Sequence, residues 1–460
     1  MRRRKCDLGR RVNGDLRVEF SASGLTSYAG LELLIRYFRA IGLNQLVRHH
    51  LGAALGRGDF GVVAMMRLMI GMLIVGGRRL RHVAYLAGDP VIHRLCGLVH
   101  LPTARTLSRW LKTFTEARVE HLRALNAEIV ARVVRGLRGL RTLTIDVDGT
   151  VVSTGLTVER AFRGYNPHHR KVPSYYPITA CLAESGHLLR VKNRSGNVND
   201  GKASIQFLRD LFVQLQRTLG SGYALRFRMD GDFFKHDVLR VLAAHRAGFA
   251  IKVPFWTWLD LQRHIRERRR WQRVTHDVDT FDLVLALNPW NTFMRVAIYR
   301  KKVHHPAPKN YQLDLFDPAD GHWEYSAVAS NLPLSAARLW HFMCGRGAHE
   351  KLLGRLKSGL AFDTIPTHHY GANSAWQQLV ALAHNLITNF PIDTAAAPRV
   401  RSHKRTALYV LQSIQTLRFE LFHRAGEIVR PAGATLLRLA ANPHVKRIFE
   451  RFAARIPDAA

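Results

Sequence analysis

The spacing of apolar residues changes at Leu140, and this change constrains the fold more than any other feature of the chain. Before Leu140, apolar residues recur every three or four positions, as in LELLIRYFRAIGLNQLV and VVAMMRLMIGMLIV, which predicts helices. After it, apolar and polar residues alternate in RTLTIDVDGTVVS, which predicts a half-buried strand. We therefore expect a helical region over residues 1–140 and a different architecture beyond it.

Predicted strands and helices alternate after Leu140. SYYPITACLAES and GHLLRVKNRS give two strands joined by a turn at residues 184–187, and they are followed by a helix, the strand ALRFRMD, a second helix and the strand GFAIKVP. Such alternation is typical of an α/β fold with a mixed sheet. We expect a first part of an α/β core at 141–255, a β-rich insertion at 256–324, a second part of the core at 325–395 and a basic C-terminal region at 396–460.

Charge and cysteine content narrow the possible partners and compartment. The chain carries 69 Lys and Arg against 34 Asp and Glu, a net charge of +35. Such an excess repels itself unless a polyanion neutralises it, so nucleic acid is the expected partner and an enzyme acting on a neutral metabolite is disfavoured. The four cysteines, including Cys6, form no CxxC pair, and no apolar stretch reaches the roughly 20 residues of a membrane helix. We therefore expect a cytoplasmic, DNA-associated protein.

One candidate DNA-binding element lies near the end of the helical region. Residues 83–114 predict two short helices separated by a turn, and the second begins after Pro102 and Thr103. Arg105 and Arg109 lie on this second helix, which makes a helix-turn-helix plausible. A surface helix that contacts nothing fits the same pattern equally well.

A second basic segment opens the predicted insertion. Residues 263–273 hold six arginines, including Arg268, Arg269 and Arg270, with Trp271 among them. Guanidinium groups suit backbone phosphates and an indole suits a stacked base, so we favour contact with DNA. The alternative is a solvated edge of the insertion.

Three acidic residues each follow a predicted element at widely separated places. Asp148 ends an alternating strand and shares its face with Asp146, whereas Asp230 ends the strand ALRFRM with Asp232 close behind. Glu350 follows a later strand and its connection. Carboxylates that converge from separate elements are what two divalent cations about 3.5–4 Å apart require for phosphoryl displacement. The sequence thus predicts a two-metal site.

The helix around Glu350 places two cations beside it. At about 100° per residue, Arg346, Glu350 and Lys357 fall within an arc of roughly 40°. The cations would hold a phosphate backbone while Glu350 holds metal. An ordinary salt-bridged helix surface is the alternative.

Three segments carry a family resemblance: DVDGT at 146–150, RMDGDF at 228–233 and RGAHEKLLGRLK at 346–357. In residues and spacing they resemble the catalytic blocks of the DDE transposases of bacterial insertion sequences. The third block resembles the Tyr-Arg-Glu-Lys signature of that family at Arg346, Glu350 and Lys357, with Met343 at the Tyr position.

The resemblance implies both a fold and an activity. It implies an RNase H-like mixed-sheet core with a β-rich insertion, and it assigns catalysis to Asp148 rather than Asp146, to Asp230 with Asp232 in reserve, and to Glu350. These three carboxylates would bind two Mg²⁺ or Mn²⁺ ions. The implied protein is the transposase of a prokaryotic insertion sequence, which binds terminal inverted repeats of double-stranded DNA, cuts them and joins them to target DNA as a homodimer.

Two other interpretations stay open at this point. DVDGT is also the nucleophile signature of haloacid-dehalogenase-like phosphatases, in which Asp146 would attack phosphate, Asp148 would act as acid and base, and Asp232 and Asp237 would hold Mg²⁺. That interpretation gives no role to the preceding 140 residues, the +35 charge or the third block. A non-catalytic DNA-binding protein would explain the charge but not the carboxylates.

Overall fold

The structure is a computed structural model that describes residues 23–456, except 57, 138, 165–170, 199, 303–322, 401 and 403, and only the backbone of Asp200 and Lys202. Parts of the predicted N-terminal region, insertion and C-terminal region, with Cys6, therefore lie outside the described residues.

The described chain up to Leu137 is helical, as the apolar spacing predicts. After a short strand, β1 (Leu25–Thr26), come a 3₁₀-helix at Leu80–Leu86 and the helices α1 (Leu31–Ala40), α2 (Leu43–Leu55), α3 (Val62–Ile74), α4 (Pro90–Cys96), α5 (Ala104–Lys112) and α6 (Glu116–Gly136). Asp89 and Thr103 begin α4 and α5 by accepting hydrogen bonds from backbone amides of the first turn. No helix in the described parts of the chain is long and apolar enough to cross a bilayer.

A nine-stranded mixed sheet follows among the described residues. Its strands are β2 (Thr142–Gly149), β5 (Ile178–Leu182), β6 (His187–Lys192), β7 (Ala224–Met229), β8 (Gly248–Lys252), β9 (Gln272–Arg273), β10 (Val278–Leu287), β11 (Thr292–Lys302) and β12 (Trp323–Ser330), while β3 (Val152–Ser153) pairs with β4 (Ser174–Tyr175) separately. The spatial order is β6-β5-β2-β7-β8-β12-β11-β10-β9.

The first five strands of that order form an RNase H-like core. β2 is antiparallel to β5 and parallel to β7, which is parallel to β8. The parallel neighbours are connected through α7 (Asp200–Leu219) and α8 (His236–Ala244), since a parallel connection needs a crossover. The predicted fold class is confirmed.

The β-rich segment extends this core sheet rather than forming a sheet of its own. It begins with α9 (Leu261–Glu267), and its strands β9, β10 and β11 continue the order beyond β12. Phe281 of β10 and Ile298 of β11 are buried in the same apolar cluster as Ile145 of β2. Burial of one face of the long alternating strands against that cluster stabilises the continuous sheet.

The chain then returns to helices and short strands. These are α10 (Ala336–Cys344), α11 (Gly347–Leu360), α12 (Tyr370–Thr394), β13 (Ala397–Pro398), β14 (Tyr409–Val410), α13 (Ile414–Leu417), β15 (Gly426–Val429), β16 (Leu436–Leu439) and α14 (Pro443–Ala453). α12 is almost wholly buried, and its Asn385 hydrogen-bonds to Leu188 of β6 and to Asn126 of α6. This helix therefore joins the N-terminal helices to the sheet.

Candidate active site

The three predicted carboxylates converge on one guanidinium group. Asp148 lies near the end of β2, Asp230 directly follows the parallel neighbour β7, and Glu350 lies in the first turn of α11. Arg346 Nη2 lies 2.8 Å from Asp148 Oδ2 and 3.3 Å from Asp230 Oδ2, while its Nη1 lies 2.9 Å from Glu350 Oε1. The structure thus brings together residues that are up to 202 positions apart in the sequence.

The side chains of the site differ in their exposure to solvent. The side chains of Arg346 and Asp148 are 16% and 11% exposed, whereas that of Glu350 is 60% exposed. Burial alone would lower the pKa of Arg346, but the three carboxylates outweigh it and raise that pKa above the ordinary value. Arg346 therefore stays charged and partly neutralises the acidic cluster.

A short turn orients Asp230 toward this cluster. Its Oδ1 accepts a hydrogen bond of 3.2 Å from the amide of Asp232 and caps the 3₁₀ turn at Gly231–Phe233. Its Oδ2 faces Arg346, while the side chain of Asp232 is exposed. The geometry favours Asp230 over its reserve candidate.

The donor chemistry of the cluster suits divalent cations. In the described parts of the chain, no three acidic, His or Cys side chains lie close enough together to form a metal site in this arrangement. Each carboxylate contacts Arg346 instead. Carboxylate oxygens are nevertheless the ligands that Mg²⁺ and Mn²⁺ prefer, so the chemistry of these side chains fits such ions.

Asp146 forms a buried ion pair within the core. It forms a two-point ion pair with Arg228 of β7, with Oδ1–Nε at 2.5 Å and Oδ2–Nη2 at 2.7 Å, and both side chains are fully buried. Burial raises the pKa of Asp146, although Arg228 opposes this. A carboxylate enclosed in this way cannot attack a substrate, so the phosphatase interpretation is wrong.

Arg228 also explains the glycine that directly precedes the third block. Its Nη1 donates a hydrogen bond of 2.8 Å to the carbonyl oxygen of Phe342 at the end of α10. A Cβ atom at Gly345 would lie 2.1 Å from the same nitrogen. Because Gly345 has no Cβ atom, the buried guanidinium of Arg228 can lie directly against its backbone.

His349 is a site residue that the sequence did not reveal. Its Nε2 lies 3.0 Å from Thr179 Oγ1, and that hydroxyl donates to the carbonyl oxygen of Asp148 at 3.2 Å. Burial, together with the nearby charges of Arg346 and Arg228, lowers the pKa of His349 to about 3, so the ring is neutral. These contacts connect α11 to β2 through β5. They could not be predicted from the sequence, because a single histidine in a helical segment does not reveal its partners.

Lys357 faces the site rather than open solvent. Its Nζ donates a hydrogen bond of 2.9 Å to the carbonyl oxygen of Val151, in the loop after Asp148. Burial lowers the pKa of Lys357, which the acidic groups of Asp363 and Asp148 oppose. Of the three residues predicted to share a helix face, Glu350 and Lys357 lie on α11, and Arg346 occupies the N-cap position just before it.

The other predicted DNA-contacting arginines lie on exposed surfaces. Arg105 and Arg109 are exposed on α5, opposite a buried apolar face, and Arg268, Arg269 and Arg270 are exposed after α9.

Trp271 does not offer the open ring that we expected. Its ring packs edge-on against Phe281 with 4.7 Å between centroids, and the Arg300 guanidinium lies 4.5 Å over it. Neighbours from two strands thus cover part of the ring, and a stacked base at this residue stays a prediction.

Three tryptophans and a lysine form an aromatic cluster that we did not predict from the sequence. Trp256 stacks on Trp258 at 5.6 Å, Trp258 meets Trp290 at 5.5 Å, and Lys235 Nζ lies 4.6 Å over Trp256. These residues line an open cavity of about 720 Å³. The dense aromatic segment FWTW was the available signal.

Comparison with known proteins identifies a family. The family described as transposase DDE domain group 1 matches residues 9–460. No curated protein matches the chain. Among solved structures, the chain is similar to the piggyBac transposase synaptic complex with hairpin DNA (TM-score 0.39, 10% identity, 87% of this chain and 83% of that one). It is also similar to the Mos1 transposase paired-end complex with left transposon end (TM-score 0.19, 13% identity, 34% of this chain and 52% of that one).

Proposed function

Because the chain belongs to the transposase DDE domain group 1 family, we propose that Asp148, Asp230 and Glu350 are the carboxylates with which this DDE transposase cuts DNA and joins the cut ends. The observation that carries the proposal is their convergence on Arg346 from two parallel strands and one helix.

In this proposal the three carboxylates hold two Mg²⁺ or Mn²⁺ ions. Such ions supply activation of an attacking water or 3′-hydroxyl and stabilisation of the leaving oxygen. Arg346 releases the carboxylates and binds a backbone phosphate, for which its planar fork is suited. Lys357 holds the loop after Asp148 against α11, and the Asp146–Arg228 pair fixes β2 relative to β7.

The proposed substrate is double-stranded DNA, namely the terminal inverted repeats of an insertion sequence in a prokaryotic cell and the target DNA. The helical region at 1–140 would bind the ends through Arg105 and Arg109, and Arg268, Arg269 and Arg270 would contact flanking phosphates. Their exposure and the net charge of +35 support this division of the chain. Because two ends must be joined, we propose that the protein acts as a homodimer on DNA.

Two neighbouring carboxylates provide a matched test. Asp230→Asn should bind inverted-repeat DNA as the parent does but lose Mg²⁺-dependent strand transfer, because it removes a proposed ligand. Asp232→Asn removes an equal charge two residues away and should keep most of the activity. Equal loss in both variants, or activity retained in Asp230→Asn, would contradict the assignment.

A further inference from the structure

A small polar pocket lies among the N-terminal helices and shares no residue with the candidate active site. It has a volume of about 210 Å³. Helices α1, α2, α3 and α4 all contribute to its lining, which consists of Ile35, Phe38, Arg39, Asn44, Arg67 and Arg94. Three of these six residues are arginines, and none is acidic.

Arg67 is the unusual member of this lining. It is the one charged residue of α3, an otherwise apolar helix whose neighbouring positions are fully buried. Its Nε is inaccessible to solvent and has no hydrogen-bond partner in the described parts of the chain. Burial lowers the pKa of Arg67, and the nearby charge of Arg39 lowers it further, against the effect of Cys96.

The carboxylate of Glu32 does not neutralise the charge of Arg67. Glu32 on α1 lies 3.2 Å from Arg36 and 3.7 Å from Arg94, so it is already shared between two other arginines. A partly buried guanidinium without a counter-charge costs folding free energy, because it has lost water and gained no partner. An anion in the pocket would remove that cost.

We infer that this pocket binds a single phosphate group. Arg67, the least exposed of the three arginines, would hold it from inside, with Arg39 and Arg94 at the exposed rim. Guanidinium forks match the oxygens of phosphate in pairs. A pocket of about 210 Å³ has room for one phosphate group with water beside it.

Thermal unfolding with inorganic phosphate tests the pocket directly. At matched ionic strength, replacing chloride by phosphate at about 100 times its Kd should raise the unfolding midpoint of the parent by about 3 °C. Arg67→Gln and the rim variant Arg39→Gln should lose most of that shift. Arg48→Gln, which removes an exposed charge on α2 outside the pocket, should keep it. No shift in the parent, or an equal shift in Arg67→Gln, would overturn the inference for free phosphate.

A second arm asks whether the phosphate belongs to DNA. If a backbone phosphate occupies the pocket, Arg67→Gln should weaken binding of a labelled duplex at least fivefold relative to Arg48→Gln and reduce the salt slope by about 1. Added phosphate should then weaken duplex binding by the parent more than by Arg67→Gln. Equal duplex affinity in the two variants, combined with the thermal shift, assigns the pocket to free phosphate. Equal affinity without any thermal shift overturns the inference entirely.

Discussion

Arg346 and Asp148 form an ion pair at the end of β2, with Nη2 2.8 Å from Oδ2. The same guanidinium contacts Asp230 and Glu350, so one protein cation partly neutralises the three carboxylates that we assign to catalysis. A cation from solution has to compete with Arg346 for these oxygens, whereas a DNA phosphate would draw Arg346 away from them. Metal binding and DNA binding should therefore favour one another.

Removing the guanidinium should strengthen metal binding in the absence of DNA. We expect Arg346→Gln to bind Mn²⁺ roughly tenfold more tightly than the parent, equivalent to about 1.4 kcal/mol of lost competition. Electron paramagnetic resonance of free Mn²⁺ measures this without any reaction. Arg355→Gln, which removes an exposed arginine of α11, serves as the control. Unchanged affinity in Arg346→Gln would show that this residue does not compete with the metal.

Breaking the buried pair beneath the site should cost stability. Asp146→Asn leaves Arg228 buried without its counter-charge, and we expect a loss of about 3–5 kcal/mol in the free energy of unfolding. Urea denaturation followed by circular dichroism measures the loss. The exposed pair of Asp282 with Arg295 gives the comparison, since Asp282→Asn should cost less than about 1 kcal/mol. Similar small losses in both variants would contradict a structural role for Asp146.

Glu184 should give the protein a stability that falls as pH rises. Burial raises the pKa of Glu184 to about 7, although its carboxylate accepts hydrogen bonds from the amide of Thr144. Between the ordinary pKa of 4.5 and 7, the unfolded chain loses this proton and the folded chain keeps it. Over that window the folded state should lose about 3 kcal/mol relative to the unfolded state.

The variant Glu184→Gln isolates this effect. Urea denaturation should show that the free energy of unfolding of the variant, relative to that of the parent, increases from pH 5 to pH 8. His187 and His384, whose pKa values burial lowers to about 3 and 4, act equally in both proteins and cancel in the difference. A constant difference across this range would show that Glu184 titrates as it does in the unfolded chain.

The basic face of α5 should matter for recognition of DNA ends. Arg105→Ala with Arg109→Ala should weaken binding to an inverted-repeat duplex more than binding to unrelated DNA of equal length. Fluorescence anisotropy at several salt concentrations separates the two, since loss of phosphate contacts alone lowers the salt slope and weakens both duplexes alike. Equal weakening would reduce α5 to a non-specific contact surface.

Local patterns predicted the elements and the carboxylates, because each depends on a few consecutive residues. Short segments of sequence were enough to predict the strand β2 and to select Asp148, Asp230 and Glu350 as candidates. The pairing of Asp146 with Arg228 was not, since it depends on the register of two parallel strands 82 residues apart. The extension of the sheet by β10 and β11 could not be predicted for the same reason, because alternation within one strand does not reveal which strand pairs with it.

The central claim is that Glu350 belongs to the catalytic carboxylates, and nicking of a labelled inverted-repeat duplex in Mg²⁺ tests it most directly. Glu350→Gln keeps the size of the side chain and removes its charge, so the variant should bind the duplex within about threefold of the parent. Its nicking rate should fall by at least about 100-fold, and chelation of Mg²⁺ should abolish nicking by the parent. If Glu350→Gln nicks the duplex as fast as the parent, the assignment of the three carboxylates is wrong.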